Sequence, residues 1–170
     1  MILGMSVATF TLVHVLLSLI GIVAGLVAVL AMTRSRLLTG WTFAFLSTTV
    51  LTSVTGYFFP VDKILPSHIV GAISLAALAI ALVALYRCGA TGPWRWIYAV
   101  TAVVSLYLNV FVLVVQAFLK VPALKALAPT QSEPPFAVAQ GIVLVAFIVI
   151  GYLAVRRFQP QVAQAKLRPA

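Results

Sequence analysis

Five stretches of roughly twenty or more mostly apolar residues follow one another in this chain, separated only by short breaks. Nothing else in the sequence narrows the choice of fold so far. A helix rises 1.5 Å per residue, so about twenty residues cross the hydrocarbon core of a bilayer. A helix also satisfies its own backbone polar groups, as hydrocarbon demands. The windows are Val7–Met32, Leu37–Phe59, Pro66–Tyr86, Trp94–Leu119 and Ala137–Val155. Their breaks carry helix-ending residues. Thr33-Arg34-Ser35-Arg36 closes the first. Pro60 and Pro66 bracket the second gap, Cys88-Gly89-Ala90-Thr91-Gly92-Pro93 makes the third, and Pro122, Pro129, Pro134 and Pro135 mark the fourth. The expected fold class is all-α, a polytopic bundle of five transmembrane helices. It forms one domain over 1–158, followed by a short basic tail over 159–170. The first run has no basic stretch before it and exceeds the usual 7–15 apolar residues of a signal peptide, so it is expected to stay in the mature protein.

Composition agrees. The 170 residues are 64% hydrophobic and 8% charged, against about 45–50% apolar and 25% charged in soluble domains. That excludes a water-soluble globule and a disordered chain. The single Cys excludes a disulfide framework, a CxxC redox pair and a thiolate zinc site. Two acids and two His leave few groups for acid–base chemistry.

Orientation follows from Lys and Arg in the short loops. Arg34 and Arg36, Arg87 and Arg95, and Arg156, Arg157, Lys166 and Arg168 fall on one side, eight basic residues with no acid. The other side has Lys63, Lys120 and Lys125, with Asp62 and Glu133. The N-terminus is therefore expected outside and the C-terminus in the cytoplasm. The net charge of +9 is mostly this topological signal. Its residues are split over three short segments, so no nucleic-acid surface is read from it. The tail is expected near anionic lipid head groups.

Helices in lipid pack through small and polar residues. In the first span Thr11, His14, Ser18, Gly21, Gly25, Ala28 and Met32 recur at spacings of three and four, along one helix face. Gly21 and Gly25 form a GxxxG pair for close helix packing. In the fourth span Tyr98, Ala102, Ser105, Asn109, Val112 and Gln116 share a face in the same way. The second span carries a hydroxyl arc of Ser47, Thr48, Thr49, Thr52, Ser53 and Thr55. By helical rise, His14 and Thr52 lie roughly 10 Å below the outer boundary and Asn109 about 15 Å below it. His68, Gln116 and Gln140 lie within about 5 Å of it. An outward-opening pocket is expected, lined by His14, Thr52, His68, Asn109, Gln116 and Gln140.

An ionisable residue within a span marks a candidate site. His14 and His68 sit on the same side, as two axial ligands of haem b must, and Lys63 and Lys120 are placed to meet its propionates. The sequence lacks the larger His set of the cytochrome b561 type. A quinone suits a mostly apolar pocket with a few polar groups, and His14, Asn109 and Tyr107 can hydrogen-bond its carbonyls. The bland alternative is that His14 bonds a neighbouring hydroxyl and that Asn109 and Gln116 bridge helices. No carboxylate lies within a span, which disfavours a coupled carrier. No Ser, Cys or Asp nucleophile has a visible base partner. In the last outer loop Val121–Leu127 is expected to form a surface helix, and the Pro-rich segment after it to lie over the pocket mouth.

Three stretches carry a resemblance: Leu51-Thr52-Ser53-Val54-Thr55-Gly56-Tyr57-Phe58-Phe59-Pro60, Leu65-Pro66-Ser67-His68-Ile69-Val70-Gly71, and Ala128-Pro129-Thr130-Gln131-Ser132-Glu133-Pro134-Pro135-Phe136. With Trp94-Arg95-Trp96-Ile97-Tyr98 they resemble a family of small, uncharacterised bacterial multi-pass integral-membrane proteins. The resemblance implies a bacterial inner membrane and brings no activity, cofactor or site residue with it. The leading expectation is a small non-enzymatic inner-membrane protein or accessory subunit with an outward-facing polar pocket. Self-association through the GxxxG face, or a place in a larger membrane complex, is part of it. The alternatives are an electron-transfer subunit holding haem b or quinone through His14 and His68, and a small-solute carrier or channel.

Overall fold

Helix α1, Val7–Met32, starts where the Ser6 hydroxyl accepts the Thr9 amide at 3.1 Å, a side-chain cap for an otherwise orphan N–H. The structure, a computed structural model, describes residues 1–60 and 66–160. The charges at Asp62 and Lys63, and Lys166 and Arg168 of the tail, lie outside the described residues. Helix α2, Thr39–Thr55, tightens into a 3-10 turn over Gly56–Phe58. Helix α3, Pro66–Leu82, widens into a π turn over Val83–Arg87. Helix α4, Pro93–Lys120, is followed by short α5, Pro122–Leu127, and by α6, Pro134–Arg157. The described residues contain no β-strand.

Proline starts four of these helices. Its fixed φ suits the first turn, and its missing N–H is one the helix leaves unpaired anyway. This accounts for α6 beginning at Pro134 rather than near Ala137 as the sequence predicts. Pro134 and Pro135 are the first turn of the helix, not a break before it.

Among the described residues, four helical segments are long and apolar enough to cross a membrane: Val7–Met32, Pro66–Arg87, Pro93–Lys120 and Pro134–Arg157. The second predicted span, 37–59, is the exception. Its α-helix has 17 residues, which reach about 25 Å, short of the roughly 30 Å hydrocarbon core.

Helices α1, α2, α3 and α4 form a ring. Each packs on the next, and α4 closes back onto α1. Helix α6 lies outside it, against α4 and α1. One end of the bundle gathers the arginines. The Ser35 hydroxyl donates to the Gln159 carbonyl at 2.9 Å and accepts the Gln159 amide at 3.0 Å. The Arg95 guanidinium donates to the Phe158 carbonyl at 2.8 Å. These bonds tie the α1–α2 loop and the start of α4 to the end of α6. Trp41, Tyr86, Trp94, Trp96 and Tyr152 are exposed near the same end, with the Arg156 guanidinium 5.1 Å from the centre of the Tyr152 ring. Such a belt suits the headgroup region.

The core fills the half of the ring nearest the arginines. Phe45 and Leu46 of α2, Leu78 of α3 and Tyr98 and Leu106 of α4 are buried there with Met32. Alanines 24, 28, 81, 99, 102 and 154 are buried as well, so backbones approach closely where side chains are short. Gly25 is the tightest point. A Cβ there would stand 2.6 Å from Leu106 Cδ1 and 2.7 Å from Phe45 Cδ2. The outside is the reverse: Leu12, Leu16 and Val23, Ile69, Ile73 and Ile80, and Ile142, Val145 and Ile148 are all exposed. An apolar belt on every side is stable in lipid and a liability in water.

Candidate functional site

Above the sealed half of the ring the polar residues meet. Ser18 of α1 donates its hydroxyl to Asn109 Oδ1 of α4 at 2.9 Å. One turn along α1, Gly21 lets the other two helices close in. A Cβ at Gly21 would stand 3.0 Å from the hydroxyl oxygens of both Thr48 and Thr49 and 3.4 Å from Asn109 Nδ2. Thr48 spends its proton on the Ala44 carbonyl, as helical threonines commonly do. Three neighbouring groups have no partner among the described residues: Asn109 Nδ2, Thr49 Oγ1 and Thr52 Oγ1. Asn109 is 8% exposed and Thr49 1%. Polar atoms this deep cost about 1–3 kcal/mol each when no partner meets them.

Nearer the opposite end, His14 Nδ1 lies 2.8 Å from Thr55 Oγ1. The Thr55 hydroxyl also donates to the Leu51 carbonyl at 2.7 Å, so it links the His14 ring to its own helix. The ring packs edge-on against Phe59, with centroids 5.2 Å apart. Across the ring of helices, the Tyr57 hydroxyl donates to the His68 carbonyl at 2.7 Å. Gly71 gives Tyr57 its room, since a Cβ there would lie 3.2 Å from the hydroxyl. The Tyr57 and His68 rings are tilted together at 5.4 Å. Ser53 donates to Ser74 at 3.3 Å and links α2 to α3.

These groups line a cavity of about 110 Å³ on the axis of the ring. Every ring helix contributes: His14 and Ser18, Thr49, Thr52 and Ser53, Ser67, Gly71 and Ser74, and Leu108, Asn109 and Val112, with Tyr57 and His68 at the mouth. The next layer down is Gly25, Phe45 and Leu106, which has no gap. The cavity is a blind well, closed toward the arginine end.

The structure thus brings His14, Thr52, His68 and Asn109 to one cavity and leaves three predicted residues out. Tyr107 faces away, its ring 5.7 Å from Phe147 of α6 and 6.2 Å from Phe111. The reason is helical geometry, because residues two apart point to nearly opposite sides. Gln140 is on α6, outside the ring, and donates to the Phe111 carbonyl at 3.2 Å. Gln116 does share the face of Asn109, but two turns farther out, where it is exposed. The Pro-rich segment is likewise not among the lining. Gln131 donates to the Val115 carbonyl at 2.8 Å and pins the segment to the flank of α4. Gly21 and Gly25 are occupied within the chain by α2 and α4, so the GxxxG face has no surface left for a second copy.

Thr49 and Ser18 were legible only as members of polar stripes. Tyr57 carried no sequence signal beyond its place between Gly56 and Pro60. The chain matches no family model, no curated protein and no solved structure.

Proposed function

We propose that the chain is a small, non-enzymatic integral protein of a bacterial inner membrane that holds a small uncharged ligand in a pocket open to the outer side. The carrying observation is the blind well itself, with unpaired hydroxyl and amide groups at its base and, among the described residues, no charged side chain in its lining. Five crossings are part of the proposal. The 17 residues of α2 and the 3-10 turn after it together reach about 31 Å. The arginine end is then cytoplasmic, which puts the N-terminus and the well outside. Binding without catalysis accords with a lining that offers hydroxyls, one amide and imidazole but no activated nucleophile. A partner subunit or a second copy would dock on a face other than the GxxxG pair.

Impermeant maleimide labelling tests the orientation. In a Cys88→Ala background, Ser67→Cys at the mouth and Ser132→Cys in the last loop are expected to react in right-side-out vesicles and to be protected in inverted ones. Native Cys88, in the loop between α3 and α4, is expected to behave oppositely. Reaction of Ser67→Cys only in inverted vesicles overturns the proposal.

One observation favours a second reading, an electron-transfer subunit. His14 and His68 line the same cavity. As haem ligands they meet an obstacle of size, since about 110 Å³ falls below the roughly 150 Å³ that admits a single benzene ring. An oxidised and dithionite-reduced absorption spectrum of the purified protein decides it. The expected result is no Soret band, and a band that shifts on reduction and disappears in His14→Ala would make the pair haem ligands.

A further inference from the structure

We infer that the arginine end of the bundle is a binding surface for anionic phospholipid, whose phosphodiester head group sits where the α1–α2 loop, the start of α4 and the end of α6 meet. The inference depends neither on the well nor on which side of the membrane this end faces. Its basis is a concentration of positive charge that no acidic side chain of the protein balances.

Three segments are drawn to one place. The half-buried Arg95 guanidinium donates to the carbonyl of Phe158, the residue after Arg157, at 2.8 Å. The next residue, Gln159, exchanges two hydrogen bonds with the Ser35 hydroxyl. Ser35 turns the chain with a φ of 58°, and Arg34 and Arg36 flank it. The side chains of Arg34, Arg36, Arg156 and Arg157 are all exposed. Like charges gathered in this way repel unless a counter-charge stands near. The two acidic side chains of the sequence, Asp62 and Glu133, do not supply it. Glu133 precedes α6, a helix of 24 residues that ends among the arginines, and its carboxylate accepts the Thr130 and Ser132 amides. Asp62, outside the described residues, follows the turn at the far end of α2.

The counter-charge therefore comes from outside the chain, and the surroundings favour a lipid. A guanidinium fork matches the paired oxygens of a phosphate. Trp94 and Trp96 stand on either side of Arg95 in sequence and are exposed, as are Trp41 and Tyr152, and such rings settle at head-group level. Toward the middle of the bundle Val23 and Leu30 of α1 and Ile148 and Val149 of α6 are exposed too, an apolar surface for acyl chains. A soluble anion has no use for these features.

The test uses the full chain purified in a neutral detergent. Native mass spectrometry measures the retention of phosphatidylglycerol and of phosphatidylcholine with the same acyl chains. Phosphatidylglycerol is expected to be held about tenfold or more tightly. The preference should shrink when ammonium acetate is raised about tenfold. Arg36→Gln with Arg157→Gln is expected to bring the two lipids close to parity, at about fivefold for each arginine removed. Lys120→Gln with Lys125→Gln removes the same charge from the opposite end and is expected to leave the preference unchanged. All four side chains are exposed, so neither pair of changes disturbs the packed core. Equal retention of the two lipids by the unaltered chain, or an equal drop in both double variants, overturns the inference. Displacement of the lipid by an equal concentration of glycerol phosphate assigns a soluble phosphate ester instead and overturns it as well.

Discussion

Gly25→Ile is expected to abolish the folded bundle, and Gly25→Ala to cost about 1–3 kcal/mol, the usual range for overpacking. The Ala methyl would stand 2.6 Å from Leu106 Cδ1 and 2.7 and 2.9 Å from two atoms of the Phe45 ring. Both neighbours are fully buried, Leu106 and Phe45 each being 0% exposed, so neither can swing aside without displacing a third residue. Gly141 of α6 is the internal control. A Cβ there meets nothing within 4 Å, and Gly141→Ala is expected to be neutral or to stabilise by up to about 1 kcal/mol through helix propensity. Unfolding midpoints in mixed micelles titrated with dodecyl sulfate measure both. Phe45→Leu combined with Gly25→Ala should recover more than about 0.5 kcal/mol relative to additivity, as expected for residues in contact. A wild-type midpoint for Gly25→Ile would show that α1, α2 and α4 do not meet here.

The second large effect is at Asn109. Asn109→Asp keeps the shape but places a carboxylate in a layer of hydroxyls, and about 3 kcal/mol is the expected loss at neutral pH. The Ser18 bond survives the change, because a carboxylate accepts it as the amide oxygen does. What is lost is neutrality. A protonated Asp is neutral and suits the layer again, so the loss should shrink as pH falls. Asn109→Leu separates the two roles of the residue. It frees the Ser18 hydroxyl, which can turn back to its own helix, and is expected to cost about 1 kcal/mol. A pH-independent loss in Asn109→Asp would mean that the side chain already lies in water.

The polar stripes show how far a one-dimensional reading reaches. The spacing of Tyr98, Ala102, Ser105 and Asn109 names the buried face of α4, since a 3.6-residue period puts them on one side whatever they pack against. The same rule should have separated Tyr107 from Asn109. Gln140 failed for a different reason. Its depth was readable from helical rise, but depth does not say whether α6 belongs to the ring. The hydroxyl arc of α2 failed differently again. Six Ser and Thr residues look alike in sequence, yet Ser47, Thr48 and Thr55 bond back to their own helix while Thr49 and Thr52 do not.

By itself the sequence determined an all-helical chain whose apolar segments are punctuated by prolines, whose arginines gather at one end and whose small residues mark the packed faces. These are one-dimensional quantities: the length and apolarity of a run, its punctuation, and its period. The tertiary structure decided which faces meet. Helices α1 to α4 close a ring and α6 stays outside it, so His14, on α1, and Asn109, on α4, share a cavity while Gln140 does not. It also decided that Gly21 and Gly25 serve the inside of the bundle. The physical reason is that in lipid an apolar residue gains nothing by burial against another helix. Partners are chosen by the fit of small side chains and by a handful of hydrogen bonds, and that fit exists only once the helices stand side by side.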